Sequence, residues 1–196
     1  MCKNVFRIGI LTVILYFLSV GAFLITQSEM ALTVWELMTV ISAPVVLLVL
    51  LELSDTLSSA DICRRAMLAF MSCVCALTGA AHIINIAVTR RLMSERVVVP
   101  PYFQIGQWPS VEMAVDYLAW GFFMGLAFLS ISIPVHSEDR SKQRIKMVSL
   151  ICGILCLLGF AGAILINENI WYVALVGYGL GFSILCIMRL RLPNDR

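Results

Sequence analysis

Six apolar runs of membrane-spanning length, separated by short polar joins, constrain this chain more than any other feature. They fall at about 8–25, 34–53, 66–89, 111–133, 147–166 and 170–188. Crossing a ~30 Å hydrocarbon core at ~1.5 Å per residue takes roughly 20 residues in a helix. With 61% of its residues apolar, the chain does not have the composition of an ordinary soluble domain. The expectation is an all-α fold, a polytopic bundle of six transmembrane helices in a single domain over residues 1–196. Run 1 has the basic start of a signal peptide. Its apolar stretch exceeds a usual h-region, however, and no small-x-small site ends it, so it is read as a retained first helix.

Basic residues set an expected orientation. Lys3, Arg7, Arg64, Arg65, the Arg140–Lys146 segment, Arg189, Arg191 and Arg196 fall on one side after six crossings, and only Arg90, Arg91 and Arg96 on the other. The positive-inside rule then places both termini in the cytoplasm, in the plasma membrane, with the 90–110 loop outside. Trp35, Trp108 and Trp171 fall at outer helix ends, where an aromatic belt would put them.

The seven cysteines read as packing residues. Cys2 and Cys63 lie on the cytoplasmic side, the others lie within helices, and there is no CxxC. A net charge of +2 is explained by the cytoplasmic joins and gives no case for nucleic acid. Membrane lipids are the expected surroundings, and the Arg140–Lys146 loop can touch anionic headgroups. No cofactor is expected: no glycine-rich phosphate loop follows a strand, and no lysine inside a helix could carry a retinal Schiff base. No metal site is expected either, since His82 has no partner at HxxxH or HxxE spacing.

Between the runs, Ser58 with Asp61 resembles a capping box for helix 3, and Glu138–Lys146 reads as a solvated loop. Glu52 and Asp55 lie close to Arg64 and Arg65, as an interfacial ion-pair cluster would. The segment 90–110 is too apolar for a free linker, and Pro100–Pro101 bars a continuous helix. It is expected to lie on the membrane surface or fold over the mouth of the bundle. Pro44 should kink helix 2. Gly121 with Gly125, and Gly177 with Gly181, mark close helix approaches. They are read mainly as internal packing, with a homo-oligomer through either face as the alternative.

The polar residues inside the runs are not scattered. Helix 4 carries Glu112 and Asp116 one turn apart, with Tyr117, Trp120 and Phe123 continuing that side. Helix 3 carries His82 and Asn85, and helix 2 carries Glu36 with Thr39 one turn deeper. His82 lies roughly 10 Å, and Asp116 roughly 8 Å, below the outer helix ends. Tyr172 and Trp171 top helix 6. Charge within a bilayer is costly, so acids, an imidazole and an amide at one height predict a shared outward-facing pocket. Glu36 and Glu112 have an alternative as interfacial acids paired with Arg90 or Arg91. His82 with Asn85 has one as an interhelical hydrogen-bond pair. Asp116 is too short to snorkel and must be paired, protonated or facing a polar cavity.

Carboxylates among aromatics favour a small, partly apolar, cationic molecule, bound or transported. The binding set is Glu36, His82, Asn85, Glu112, Asp116, Trp120 and Tyr172. An alternative is an intramembrane acid–base enzyme, an isomerase or cyclase on an isoprenoid or lipid-like substrate. Asp116 and His82 would then be catalytic, and Trp120 and Phe123 cation-stabilising walls. A third reading is a structural or regulatory subunit or a pore-forming oligomer. In length and helix count the chain is similar to the substrate-binding subunits of energy-coupling-factor transporters. Helix 1 lacks the alanine spacing with which those subunits dock their energising module, and no family is assigned.

Overall fold

The computed structural model describes residues 3–57, 60–133 and 139–192. Six helices, each long and apolar enough to cross a membrane, account for most of them: α1 (Lys3–Thr26), α2 (Glu29–Thr56), α3 (Asp61–Ser94), α4 (Val111–Ser132), α5 (Arg140–Leu165) and α6 (Glu168–Arg191). Each packs on the next in sequence, and α6 returns to α1, so the bundle closes on itself. Large side chains such as Leu18, Leu24, Ile41, Val88 and Leu158 face outward. An apolar exterior on helices of this length is the surface of a protein surrounded by membrane lipid.

Local chemistry sets the helix ends. Ser28 accepts from Ala31 N at 3.2 Å to start α2, Ser110 from Met113 N at 3.2 Å to start α4, and Asp139 from Ser141 N at 2.8 Å to start α5. The Asp139 cap makes Arg140–Lys146 the first two turns of α5, where a solvated loop was expected. Ser58, Glu138, Cys2 and Arg196 lie outside the described residues. Asp61 instead pairs with Arg65 at 2.5 Å, and Asp55 with Arg64 at 3.3 Å, so this part of the expected ion-pair cluster forms. Glu52 is not part of it; its Oε2 is buried with no hydrogen-bond partner among the described residues. α2 runs on through Pro44 as one helix.

Glycines decide which helices meet. A Cβ on Gly121 would lie 2.6 Å from Phe160 Cβ, and one on Gly125 3.1 Å from Gly153 O, both across the α4–α5 contact. One on Gly177 would lie 2.8 Å from Cys152 O, and one on Gly181 2.2 Å from Cys152 Sγ, across α5–α6. Both glycine pairs are therefore used inside the chain. α5 already fills these faces within the chain, as the internal-packing reading expects. α5 thus holds α4 and α6 together from behind. α1 packs chiefly on the Phe182–Arg191 half of α6, at the end of the bundle that carries both termini. There Lys3 Nζ donates to Leu192 O at 3.0 Å.

α3 is longer than its apolar run and continues to Ser94, so Arg90 and Arg91 are helical and not part of the loop. Beyond it, the 95–110 segment makes a 3-10 turn at Pro101–Phe103 and folds back over the bundle. Thr89 Oγ1 donates to Phe103 O at 3.3 Å, and Gln104 Nε2 to Val99 O at 2.8 Å.

Candidate functional site

Three of the six helices change winding, α3 near this loop and two others at mid-helix. π turns occupy Asn85–Thr89 in α3, Leu118–Phe123 in α4 and Val176–Gly181 in α6. In α3 the consequence is direct. Five residues of ordinary helix would turn Asn85 and Arg90 to different faces, whereas the i→i+5 winding brings them nearer to one. Both reach Glu36 on α2. Asn85 Nδ2 donates to Glu36 Oε1, and Arg90 Nη1 lies 2.6 Å from Glu36 Oε2. Arg90 Nη2 also donates to Thr33 Oγ1 at 2.6 Å and to Glu29 O at 3.0 Å. Glu36 is only 2% exposed, so the expected pairing with Arg90 occurs, but away from solvent.

One turn along α3 from Asn85, His82 stands between two carboxylates. Its Nδ1 is 3.8 Å from Glu36 Oε1 and its Nε2 is 3.5 Å from Asp116 Oδ1 on α4. Neither ring nitrogen, nor Asp116 Oδ1, has a hydrogen-bond partner at closer range among the described residues. Unlike Glu36, Asp116 keeps 21% of its side chain exposed.

That exposure faces a cavity of about 760 Å³. Glu36, His82 and Asp116 form one wall, with Tyr16 and Thr39 beside them. Much of the remaining lining is aromatic. Trp108 stacks on Tyr117 at 5.3 Å between ring centres, Tyr117 on Trp171 at 4.1 Å, Trp171 on Tyr178 at 5.9 Å, and Tyr178 on Trp120 at 5.2 Å. This run of rings descends from the loop to the cavity floor. There a narrower pocket of about 60 Å³ continues, bounded by Thr12, Ser42, Asp116, Trp120 and Tyr178. Ile105 and Gly106 of the loop border the mouth, as do Glu168 and Asn169. No residue of α5 lines either space.

The sequence-derived set is therefore only partly a lining. Glu36, His82 and Asp116 share the wide cavity, Tyr172 stands at its rim 65% exposed, and Trp120 lies at the narrow end. Asn85 does not line the cavity; it is buried behind Glu36 and holds it. Glu112 is also buried and absent from both linings, and its Oε2 lacks a hydrogen-bond partner among the described residues. Being one turn from Asp116 did not bring it to the same space. Phe123 stacks on Phe70 of α3, at 6.4 Å, and is no wall of the cavity. Trp35 and Trp171, expected in an interfacial belt, line the cavity. Tyr16 and Tyr178 were not anticipated; a phenol well inside an apolar run was the available signal. Among the described residues, no group of three or more His, Cys, Asp or Glu is arranged to hold a metal ion.

The fold and this surface define a multi-pass membrane protein built as a six-helix bundle. No family model, no curated protein and no solved structure matches the chain.

Proposed function

We propose that the bundle binds, and in its membrane context transports, a small lipophilic organic cation, with the Asp116 carboxylate as its anchor and the aromatic run as its apolar cradle. The observation that carries this reading is the contrast between two acids. Glu36 is closed off by Arg90 and Asn85, whereas the Asp116 side chain stays partly exposed and lines a cavity rich in aromatic rings. A carboxylate in low-dielectric surroundings attracts a cation far more strongly than in water. Rings lining the same cavity add cation–π attraction of about 0.5–2 kcal/mol where the cation reaches their faces. With Arg90 spent on Glu36, Asp116 supplies the negative charge that a cation requires.

Lipophilicity follows from the route in. α1 and α6 pack at the Phe182–Arg191 half, and toward the loop the cavity lies between them. Its edges there are Phe17, Val20 and Leu24 on one helix and Tyr172 and Leu175 on the other. Leu24 is 63% exposed on the lipid-facing surface. A molecule dissolved in the bilayer can enter between these helices. The loop end is taken as the outer side on the basic-residue asymmetry.

The test is selectivity. Benzyltrimethylammonium and its neutral carbon isostere neopentylbenzene have the same shape. The protein in nanodiscs, followed by the fluorescence of its cavity tryptophans, is expected to bind the cation at least tenfold tighter. Equal affinity for the two would refute an anionic anchor.

One observation favours a second reading, an acid–base enzyme on an isoprenoid or lipid-like substrate: the ring of His82 bridges two carboxylates, an arrangement able to pass a proton. Conversion of lipid extracts by wild-type protein but not by His82→Gln would support it. Recovery of the extracts unchanged would refute it.

A further inference from the structure

His82 faces two acids from the cavity wall, and this gives the site a second ligand. We propose that the site exchanges a proton for its organic cation: the proton held on the His82 ring leaves to water at the cavity mouth as the cation settles on Asp116. The inference rests on the cation-binding reading above and deepens it.

The geometry argues as follows. A neutral imidazole has one N–H and one lone pair. Here both nitrogens face carboxylate oxygens, Glu36 Oε1 at 3.8 Å and Asp116 Oδ1 at 3.5 Å. A neutral ring must point a lone pair at one of them; only the ring protonated at both nitrogens faces each with an N–H. In that state the imidazolium is the counter-charge of Asp116, because Arg90 is already committed to Glu36. An organic cation at Asp116 supplies the same counter-charge from the cavity side. Imidazolium and ammonium would then stand beside one carboxylate with nothing to offset the second positive charge. Releasing the Nε2 proton removes that excess. One cation enters and one proton leaves, and the charge of the site is unchanged.

The other groups around the ring do not offer the same exchange. α2 presents Glu36, which keeps its Arg90 and Asn85 partners. α4 presents Asp116 and, a turn away and off the cavity wall, Glu112. Tyr16 and Tyr178 line the same space as phenols, and Glu168 of α6 lines it at the mouth. Glu168 at the cavity mouth and Glu112 behind the wall are the competing proton donors, and a test must separate them from His82.

The experiment is titration calorimetry of benzyltrimethylammonium into the full chain in nanodiscs, in two buffers of different ionisation heat at one pH. The probe is permanently charged, so any proton released comes from the protein. About one proton per bound cation is expected, with affinity rising as pH rises, by up to tenfold per pH unit where the exchange is complete. His82→Gln should still bind measurably, release no proton and show affinity flat in pH. Binding with no proton release in the wild-type protein would overturn the exchange while leaving the cation site standing. Release that persists in His82→Gln would overturn it too, in favour of a carboxyl group as the donor. Absence of binding would refute the cation site itself, and the exchange with it.

Discussion

Arg90 on α3 closes on Glu36 of α2 at 2.6 Å, with the acid buried and the guanidinium tied to Thr33 and the Glu29 carbonyl as well. This pair neutralises one of the two acids beside His82, and leaves the other, Asp116, as the carboxylate to which the proposed cation site is assigned. Removing the arginine leaves a buried acid with its charge uncompensated, a change that typically costs about 3–5 kcal/mol. Arg90→Gln should therefore lower the melting temperature of the detergent-solubilised protein markedly. Glu36→Gln in the same chain should recover part of the loss, because the orphaned charge goes with it. An unchanged melting temperature in Arg90→Gln would show that the pair does not hold α2 to α3.

Glycine contacts behind the site give an independent check of the packing. A Cβ at Gly159 would lie 2.3 Å from Ala174 N, whereas one at Gly79 meets nothing within 4 Å. Gly159→Ala must push α5 off α6, and overpacking of this kind costs about 1–3 kcal/mol. Gly79→Ala should be neutral or slightly stabilising, since alanine is the better helix former. Thermal unfolding of the two variants side by side reads the difference. Equal behaviour would contradict the α5–α6 contact.

Much of this was legible in the residues. Apolar runs fixed six helices, because nothing but a helix satisfies its own backbone across lipid. The heights of Glu36, His82 and Asp116 followed from counting turns. What stayed hidden depends on winding and on neighbours. The π turn in α3 rotates Asn85 and Arg90 together onto Glu36, and an α-helical count misses that. Glu112 satisfies the same spacing rule as Asp116, yet only one of them reaches the cavity. Trp35 and Trp171 sit at helix ends as a belt residue would, and only the arrangement of α1, α2, α4 and α6 turns them inward. The glycine pairs announced close approach without saying that α5 was the partner.

The aromatic run makes its own prediction. Tyr178 and Trp120 pack at 5.2 Å where the wide cavity meets the narrow pocket. Trp120→Leu keeps the bulk apolar but removes the ring face. It should weaken benzyltrimethylammonium binding about three- to tenfold, in line with ~0.5–1.5 kcal/mol for one cation–π contact. Neopentylbenzene binding should change little. Equal losses for the two probes would mean that the tryptophan supplies only volume.

Orientation is tested by thiol labelling in intact cells, in a chain whose native cysteines have been replaced. An impermeant reagent should reach a cysteine at Gln104, in the loop over the cavity mouth, and spare one at Ser141, at the start of α5. The reverse pattern would place the cavity mouth on the cytoplasmic side.

The central claim is that the Asp116 carboxylate anchors a cation, and equilibrium binding of benzyltrimethylammonium to Asp116→Asn measures it most directly. Asparagine keeps the size and the polarity and removes only the charge. The account predicts that affinity falls at least tenfold, a loss of about 1.4 kcal/mol or more, while the folded bundle survives, as read by its melting temperature. Wild-type affinity in a well-folded Asp116→Asn protein would contradict it.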